Sequence, residues 1–491
     1  MRVLLVNANR ARELLAVPPI GLAYVADAAA RAGHQVQVVD LMTARHPLTA
    51  IALGVARFRP EVVGISVRNL DNLAHQELTY YLDDVGALID RLHAITPAPV
   101  VVGGAAISVL GGPVLNHLKA DYAVVGEGEE TLVRLLQVIE GRSDPSGVPN
   151  LCYRTAAGIV ATPRAVCQVL GPSGLERWVR WGPYGRFGAT WPIQSKRGCP
   201  LGCMYCAYHA VEGHRTRPRD PREVVDEIER VAREIGPRAF EIVDSAFNVP
   251  PDSAWMLCEE IARRGLRVHL TTTSVNPGMV SAEGLVLMKR AGFNSLMLSP
   301  DAASDTTLEA LGKGFTAGDV ARAAELVRGS GLRCGWFFML GGPGETPETA
   351  EETTGFIERE LTWPRSLVIV TTGVRLLPGT ALAELAVRQG LVAPDDDLVR
   401  PSFYFSPEVS EATLLRRVNR AIVGHPGIVH TAEQGRTLLS DIRDWAFYLS
   451  GQAPPYWRFY PEVLRSTPLR QLRSRFSAVG PAGHPGVNQT G

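Results

Sequence analysis

The sequence lacks most of the features that would place the protein in a membrane, outside the cell or on nucleic acid. It contains no run of about 18 uninterrupted apolar residues, so no membrane span is expected. Lys plus Arg and Asp plus Glu number 50 each, and this zero formal charge argues against a general basic surface for nucleic acid. The start, MRVLLVNANR, lacks the long apolar core of a signal peptide. We therefore expect a cytoplasmic protein.

Cysteine is scarce and unevenly distributed. The seven cysteines are odd in number and follow no disulfide-framework spacing, which indicates a reducing compartment. Residues 1–140 contain none of them. Three of the seven, Cys199, Cys203 and Cys206, stand in a C-x3-C-x2-C spacing. Thiolates this close on one loop can converge on a single metal centre, so the segment 195–209 is the strongest candidate for a functional site.

Three clustered thiolates favour an iron–sulfur cluster, because cysteine thiolates are the usual ligands of such clusters. A [4Fe–4S] cube held by three cysteines leaves one iron open to bind a further ligand, whereas a fully ligated cluster mainly transfers electrons. A structural zinc site is the alternative. It needs four ligands, and His209 would supply the fourth.

The length of 491 residues predicts two or three domains. Residues 1–140 alternate β-branched runs with amphipathic stretches, which indicates a doubly wound, Rossmann-like α/β domain. The predicted strands are Val3–Val6, Gln35–Asp40, Val62–Val67, Val100–Val102 and Tyr122–Val125. The predicted helices lie near residues 20–32, 48–58, 74–94, 111–119 and 129–139. No G-x-G-x-x-G follows the first strand, so a dinucleotide ligand is not favoured.

Residues 141–190 are rich in Gly, Pro and Ser and are interpreted as a linker with a small strand pair. Residues 191–390 alternate strands and helices again, and six such units predict a partial (β/α)6 barrel with its chemistry at the carboxyl ends of the strands. The predicted barrel strands are Gln194–Lys196, Ala239–Val243, Val268–Thr272, Ser295–Leu298, Cys334–Leu340 and Leu367–Thr372.

Residues 391–491 are expected to form a mostly helical C-terminal region. Within it, the segment 444–461, DWAFYLSGQAPPYWRFYP, is dense in aromatic side chains. Such clustering more often closes a barrel bottom or a domain seam than binds substrate, and both interpretations stay open. The tail 479–491 is rich in Gly and Pro and is predicted to be disordered.

Residues 197–206 read R-G-C-P-x-x-C-x-Y-C. This stretch resembles the signature of the radical S-adenosylmethionine (SAM) superfamily, C-x3-C-x-aromatic-C, with Tyr205 in the aromatic position. In that superfamily the open iron of a [4Fe–4S] cluster chelates SAM, and reduction cleaves SAM to methionine and a 5′-deoxyadenosyl radical. The resemblance implies that Cys199, Cys203 and Cys206 hold the cluster and that SAM is a cofactor.

The same resemblance implies SAM contacts at the ends of later strands. Asp244 would meet the amino group, or else cap the following helix. Ser299 and Asp301 would take the ribose hydroxyls, although many relatives have Glu-Ser there and this chain has Pro-Asp. Arg375, in an R-x-x-P-G-T pattern, would pair with the SAM carboxylate or an acidic substrate, and Leu377 would cover the adenine. The candidate SAM contacts are Tyr205, Asp244, Ser299, Asp301, Gly342, Arg375 and Leu377.

Residues 1–140 resemble the cobalamin-binding domain fused to one class of radical SAM enzymes. The matching segments are PPIGLAYVADAAARAGHQVQVVD, EVVGIS, VVVGG and DYAVVGEGE. The cobalt-ligating D-x-H-x-x-G motif of other cobalamin proteins is absent after Asp40, as is common in the fused class. The resemblance implies that the loop after the third strand abuts the corrin, a glycine pair admits the nucleotide tail, and Glu127 and Gly128 bond the corrin amides. The candidate cobalamin contacts are Ser66, Arg68, Asn69, Leu70, Gly103, Gly104, Glu127 and Gly128. A Rossmann-like domain without its ligand is the alternative.

Together the resemblances imply a cobalamin-dependent radical SAM methyltransferase. In that class one SAM methylates cobalamin, and a second yields the radical that activates an unactivated carbon. We expect a small-molecule substrate, such as a specialised metabolite, and an external flavodoxin- or ferredoxin-like electron donor, with no nucleic-acid partner. A cobalamin-dependent cyclase or ring-rearranging enzyme is the alternative. A non-catalytic sensor is less favoured, as is an RNA methylthiotransferase, which would need further N-terminal cysteines.

Overall fold

The computed structural model describes residues 1–12, 15–431 and 438–465, which form two α/β domains and a C-terminal region. The tail 479–491 lies outside the described residues. Among the described helices, none combines the length and the apolar character that a membrane crossing requires.

The N-terminal domain is built on a seven-stranded sheet. Its strands are β1 (Arg2–Asn7), β2 (Gln35–Asp40), β3 (Val62–Ser66), β4 (Val100–Gly103), β5 (Tyr122–Val124), β6 (Leu151–Thr155) and β7 (Gly158–Ala161). The first five are parallel in the order β2-β1-β3-β4-β5, which confirms the five predicted strands, and β6 and β7 extend the sheet as an antiparallel pair. The strand order reverses between β1 and β3, and ligands of doubly wound sheets bind at such a point.

Helices cover both faces of this sheet. They are α1 (Ile20–Arg31), α2 (Pro47–Phe58), α3 (Leu82–Ile95), α4 (Ala105–Leu110), α5 (Val114–Leu118) and α6 (Glu129–Ile139). Apolar stripes from α2 and α3 pack on one face, and those from α1 and α6 pack on the other. Valines of β1, β3 and β4 are buried between these layers, as expected for a parallel sheet covered on both sides.

The predicted helix near 74–94 is wrong at its start, because α3 begins only at Leu82. The preceding residues form a loop closed by an antiparallel bridge between Asp71 and Tyr80. Asp71 accepts a hydrogen bond from the backbone of Leu73, and the Asn72 amide donates to the carbonyl of Glu77. Such local side-chain bonds compete with helix formation. We call residues 69–81 the strap.

The second domain is a partial barrel. Its strands, which include two short antiparallel pairs, are β8 (Trp191–Ile193), β9 (Lys196–Arg197), β10 (Arg217–Pro218), β11 (Phe240–Ile242), β12 (Leu270–Thr272), β13 (Ser295–Asp301), β14 (Arg333–Leu340), β15 (Ser366–Thr372), β16 (Val374–Arg375), β17 (Phe403–Tyr404) and β18 (Ile428–His430). The parallel arc runs β8-β11-β12 and β13-β14-β15-β18, and a bridge between Val275 and Leu298 links the two parts.

This arc holds one parallel strand more than the six predicted, because β18 comes from the C-terminal region and pairs with β15. The first predicted strand, at Gln194–Lys196, is placed too late, since β8 ends at Ile193. Residues 196–197 instead form β9, which pairs with β10. The short hairpin β9–β10 therefore closes the base of the loop that carries the three cysteines.

Helices surround the barrel and continue into the C-terminal region. They are α7 (Leu175–Trp178), α8 (Trp181–Arg186), α9 (His209–Glu212), α10 (Pro221–Glu234), α11 (Pro251–Arg264), α12 (Ala282–Ala291), α13 (Asp305–Ala310), α14 (Ala317–Ser330), α15 (Pro347–Glu360), α16 (Ala381–Arg388), α17 (Glu411–Gly424), α18 (Leu438–Leu449) and α19 (Tyr460–Arg465). Capping boxes at Thr316 and Thr346 fix the starts of α14 and α15.

The aromatic segment 444–461 closes the bottom of the barrel. Trp457 is 1 % exposed and packs against Met297, Leu367 and Ile369, which lie in the amino-terminal halves of their strands. This position supports the barrel-bottom interpretation of the segment, and it places one of its aromatic rings against the interior of the barrel.

Candidate active site between the two domains

A cavity of about 1130 Å³ extends from the carboxyl ends of the N-terminal strands into the barrel. Alternate residues along β8, β11, β13 and β14, including those directly after β8 and β11, face it, because successive side chains of a strand point to opposite sides. These inward residues are Pro192, Gln194, Glu241, Val243, Met297, Ser299, Asp301, Phe337 and Met339. Ligand pockets usually measure about 300–1,000 Å³, so this cavity has room for more than one small ligand.

The cysteine loop lies between β9 and α9 and is held by backbone contacts. Gly198 has a φ of +85°, and a Cβ there would lie 2.0 Å from the carbonyl oxygen of Arg215, so only glycine fits. The backbone N–H of Met204 donates to the carbonyl of Leu311 at 3.0 Å, which ties the loop to the end of α13. Since the loop is fixed in this way, its three thiols stay available for a ligand, and none forms a disulfide.

The surroundings of the thiols suit thiolate ligation. Burial raises the pKa of Cys199 and Cys203, and it raises that of Cys206 to about 11. The ammonium of Lys313 opposes this shift at all three. A cation that replaces the thiol proton therefore stabilises the buried sulfur as thiolate.

The donor set fits a multi-iron cluster better than a zinc ion. In the described part of the chain, no three His, Cys, Asp or Glu side chains are grouped tightly enough to hold one metal ion. His209, the candidate fourth zinc ligand, stacks on His214 with ring centroids 3.7 Å apart. Its ring also bonds to carbonyl oxygens of the cysteine loop. Three sulfur donors without a fourth are what a [4Fe–4S] cluster with one open iron requires.

Tyr205, Asp301 and Lys313 form a buried network beside the cysteines. The hydroxyl of Tyr205 and the ammonium of Lys313 both donate to Oδ2 of Asp301. Lys313 Nζ also donates to the carbonyl of Ser299 at 3.2 Å. Burial alone would lower the pKa of Lys313, but the carboxylate of Asp301 outweighs it and the pKa is raised. Asp301 and Ser299 both line the cavity. The network holds these two residues in place, and the ammonium of Lys313 compensates the charge of the Asp301 carboxylate.

Asp244 orders the start of the cysteine loop. Its Oδ1 accepts from the backbone N–H of Ser195 at 2.8 Å, its Oδ2 accepts from the hydroxyl of Ser195 at 2.5 Å, and Nζ of Lys196 lies 4.0 Å away. Burial raises the pKa of Asp244 despite these partners. Since α11 begins at Pro251 with Pro250 as its N-cap, the capping interpretation of Asp244 is wrong.

Arg375 lines the cavity, but its guanidinium already has a partner. Its Nε donates to Oδ2 of Asp71 at 2.9 Å, and the two side chains are only 3 % and 0 % exposed. Further N–H groups of Arg375 donate to the carbonyls of Leu376 and Leu398. In the structure, the guanidinium of Arg375 therefore joins the strap to the barrel.

The strap has further ties to the barrel side. Gln76 Nε2 donates to the hydroxyl of Thr372 at 2.7 Å, and His75 Nδ1 lies 3.0 Å from a carboxylate oxygen of Glu411. The hydroxyl of Tyr80 donates to the carbonyl of Val399 at 3.1 Å. These contacts make the strap one wall of the cavity.

The two remaining SAM candidates differ in position. Leu377 lines the cavity and also packs against the N-terminal core. Gly342 lies behind the wall, where an added Cβ would approach Leu311 and Val374, and it does not reach the cavity. Any effect of Gly342 on a ligand therefore acts through its neighbours.

Seven of the eight cobalamin candidates line the cavity: Ser66, Arg68, Asn69, Gly103, Gly104, Glu127 and Gly128. Leu70 does not, because it packs in the apolar core of the domain. Gly104 has a φ of +102°, and a Cβ there would lie 2.6 Å from the carbonyl oxygen of Val67. The turn after β4 therefore lies directly against the turn after β3, at the open edge of the sheet.

Glu127 is tied to the base of the cysteine loop. It pairs with Arg217 at 3.0 Å and with Arg197 at 3.5 Å, and Arg197 also pairs with Glu129 at 2.6 Å. Burial raises the pKa of Glu127, but the bond from Arg217 and the charge of Arg197 outweigh it and the pKa falls below its usual value. Because both arginines belong to the β9–β10 hairpin, this network joins the loops of the two domains.

Sequence reasoning missed the buried and partly buried charges around these loops. The missed residues are Asp71, Arg197, Glu212, Arg217, Glu241 and Lys313. A signal was present for two of them, because Glu241 interrupts an apolar strand and Lys313 stands between two glycines of a turn. Charged side chains are seldom fully buried unless they are paired. Each of these two isolated charges therefore predicts a polar or ionic partner elsewhere in the fold.

Two family models match the chain. A model described as B12 binding domain matches residues 9–136, and one described as Radical SAM superfamily matches residues 193–357. Each matched segment contributes residues to one wall of the cavity, and the second contains all three clustered cysteines.

Two curated proteins are similar at modest identity. An uncharacterized methyltransferase of Pyrococcus horikoshii is 25% identical over 380 residues, which cover 76% of this chain and 80% of that protein. The anaerobic magnesium-protoporphyrin IX monomethyl ester cyclase of Cereibacter sphaeroides is 27% identical over 350 residues, covering 68% and 55%. The chain thus spans about half of the length of the cyclase.

Solved structures of TsrM from Kitasatospora setae, a radical S-adenosylmethionine methyltransferase, share the fold. One has cobalamin and a [4Fe–4S] cluster bound, and another has tryptophan substrate and a SAM analog bound. Each gives a TM-score of 0.81 at 23% identity, with coverage of 96% and 97% of this chain and of 99% and 100% of TsrM. The likeness shows that both α/β domains and the C-terminal region adopt this arrangement.

Proposed function

The chain is a radical SAM enzyme that also carries a B12 binding domain, and we propose that it transfers a methyl group from SAM to an unactivated carbon of a small molecule. Its cofactors are a [4Fe–4S] cluster, SAM and cobalamin. The cavity of about 1130 Å³ carries the proposal, because it is lined by both domains and can hold more than one ligand at once. The names of the Pyrococcus horikoshii relative and of TsrM support methyl transfer.

When bound, the cluster and SAM supply a radical that removes a hydrogen atom, and cobalamin supplies the methyl group. In the proposal, Cys199, Cys203 and Cys206 hold the cluster. Asp244 accepts a hydrogen bond from the SAM ammonium next to the loop that it already orders. Asp301, held by Tyr205 and Lys313, accepts from the ribose with Ser299.

In the proposal, the strap and the residues that follow β15 shield the cavity from water. Arg375 keeps Asp71 of the strap in place. In the proposal, the guanidinium of Arg375 contacts the SAM carboxylate while it remains paired with Asp71. Leu377 gives apolar cover to the adenine, and Gly342 contributes only by letting Leu311 approach. Exclusion of water protects a reactive carbon from side reactions.

On the wall formed by the N-terminal domain, the turns after β3, β4 and β5 would hold cobalamin. Ser66, Arg68 and Asn69, which line the cavity, would face the corrin, while Gly103 and Gly104 would let the backbone approach the nucleotide tail. Gly128 offers backbone groups to the corrin amides, and Glu127 does so while bonded to Arg217. Leu70 acts only by packing under this loop.

Counting the products of SAM tests this proposal. Turnover is run anaerobically with reconstituted protein, an external electron donor of the flavodoxin or ferredoxin kind and candidate small molecules. We propose that such an electron donor serves the protein and that the protein works in a reducing cytoplasm. Methyl transfer is expected to yield S-adenosylhomocysteine and 5′-deoxyadenosine in equal amounts. Formation of 5′-deoxyadenosine alone would contradict it.

A cyclase is the second candidate, and the similarity to the Cereibacter sphaeroides cyclase favours it. The same cavity and cofactors would serve a reaction in which the substrate radical closes a ring. That outcome is distinguished by a product that gains no methyl group while 5′-deoxyadenosine accumulates.

A further inference from the structure

The inside of the barrel holds an acidic side chain that the proposed cofactor contacts do not use. Glu241 lies in the middle of β11, and its neighbours Phe240 and Ile242 pack in the apolar core. Because side chains alternate along a strand, Glu241 points the opposite way, into the cavity. Glutamate is rarely buried without a partner, so its position requires an explanation.

The carboxylate of Glu241 is positioned by two hydroxyl groups. Thr190 donates to Oε2 at 2.5 Å, and Thr273 donates to Oε1 at 3.2 Å. Among the described residues, Glu241 forms no ion pair. Burial raises its pKa, and the positive charge of Arg68 on the other wall opposes this shift. Each carboxylate oxygen can accept two hydrogen bonds, so each retains one accepting position after its threonine bond.

The other buried carboxylates around the cavity already serve the protein. Three of them are neutralised in the ion pairs Asp71–Arg375, Glu127–Arg217 and Asp301–Lys313. Asp244 orders the start of the cysteine loop, and Glu212 accepts from the backbone N–H of Gly198 in the same loop. Glu241 differs from all of these, because only two threonine hydroxyls hold it.

Part of the wall of the barrel interior is apolar. Met297, Phe337 and Met339 face the cavity from β13 and β14, and Trp457 closes it from below. A carboxylate without an ion-pair partner, in a cavity that also has this methionine and aromatic surface, matches a ligand with a flat apolar body and one polar end.

We propose that Glu241 is the substrate-recognition residue, and that the substrate is a flat, mainly apolar small molecule that offers an N–H or ammonium group to this carboxylate. The inference rests on the proposed function and extends it by naming the substrate class. A carboxylate or phosphate at this end of the substrate would meet a buried negative charge without a partner cation, which is strongly unfavourable.

Binding without turnover tests this assignment. Protein reconstituted with cluster and cobalamin, but without SAM, is titrated calorimetrically at pH 8 with tryptamine and phenethylamine. The matched acids are indole-3-acetate and phenylacetate. The wild type is expected to bind the amines at least about tenfold more tightly than the acids, and Glu241→Gln should weaken amine binding by about tenfold. The control Glu77→Gln alters an exposed carboxylate at the cavity mouth and should change neither affinity.

Three results would overturn the assignment: no preference for amines in the wild type, including no binding at all; a preference that survives Glu241→Gln; or an equal loss in Glu77→Gln. The wild-type comparison needs no variant, so the assignment stays falsifiable if Glu241→Gln does not fold. Because no methyl group moves in this experiment, its failure is separate from failure of the turnover assay.

Discussion

Replacing Asp71 by alanine should weaken the joint between the N-terminal domain and the barrel. The pair Asp71–Arg375 joins positions 304 residues apart, and both side chains are almost fully buried. Without the carboxylate, the guanidinium keeps only neutral carbonyl partners. Removal of one member of a buried ion pair costs about 3–5 kcal/mol, because the other charge is left without compensation.

This cost is large enough to measure by calorimetry. For a domain of about 150–250 residues, each kcal/mol lowers the melting temperature by about 2–4 °C, so Asp71→Ala should melt roughly 6–20 °C below the wild type. The matched control is Asp83→Ala. Asp83 pairs with Arg400 at 3.0 Å between the same parts of the chain, but the two side chains are 61% and 65% exposed. An exposed pair contributes about 0–1 kcal/mol, so the control should fall by no more than about 4 °C.

A double variant separates the ion pair from simple loss of packing. Asp71→Leu with Arg375→Met removes both charges, and apolar replacement of a buried pair is often neutral or stabilising. We expect this variant to recover most of the lost stability. The reasoning is refuted if Asp71→Ala melts no lower than Asp83→Ala, or if the double variant is as unstable as the two single changes added together.

Three further predictions concern the barrel. Cys199→Ala should abolish 5′-deoxyadenosine formation and lower the iron content, while visible absorbance shows cobalamin still bound. Lys313→Met removes the only ion-pair partner of the buried Asp301 carboxylate among the described residues and leaves it the Tyr205 hydroxyl, so equilibrium dialysis should show loss of SAM binding with cobalamin retained. Burial raises the pKa of Glu345 from 4.5 to about 7. Its contribution to stability is therefore complete below pH 4.5 and is lost as the pH rises through 7. The loss amounts to about 3 kcal/mol, and a parallel pH dependence of urea unfolding in Glu345→Gln and wild type would contradict it.

The sequence predicts most of the framework because the signals are local. The parallel strands of both domains are short β-branched or aromatic runs, and such runs are buried wherever helices cover a sheet. The cysteine loop is equally local, because C-x3-C-x2-C and its flanking glycine fix the ligands within ten residues. Residues such as Ser299 and Asp301 follow from strand ends, since alternation and strand direction place them at the cavity.

The strap shows where local periodicity misleads. Residues 74–94 have helical spacing, yet α3 begins at Leu82, because Asp71 and Asn72 bond to the backbone of the next residues. Short polar side chains compete with helix formation in this way. The last parallel strand, β18, was not predicted, because residues 391–491 were expected to be mostly helical and β18 lies outside the strand–helix alternation of the barrel.

The ionic partners could not be predicted from one sequence. Asp71 meets Arg375, and Glu127 meets Arg197 and Arg217, across the boundary between the two domains. Such pairs depend on how the two domains dock. The spacing of residues along the sequence does not predict this docking. Arg375 and Glu127 were expected to contact ligands only. In the structure, each of them also forms an ion pair with another side chain of the same protein.

The most direct test of methyl transfer is the fate of a labelled methyl group. SAM with a deuterated methyl is supplied to the reconstituted protein under anaerobic reducing conditions, and the substrate is analysed by mass spectrometry. Methyl transfer predicts a product in which one hydrogen is replaced by the intact trideuterated methyl group, formed with equal S-adenosylhomocysteine and 5′-deoxyadenosine. A product that carries no label, while 5′-deoxyadenosine accumulates, would contradict the proposed function.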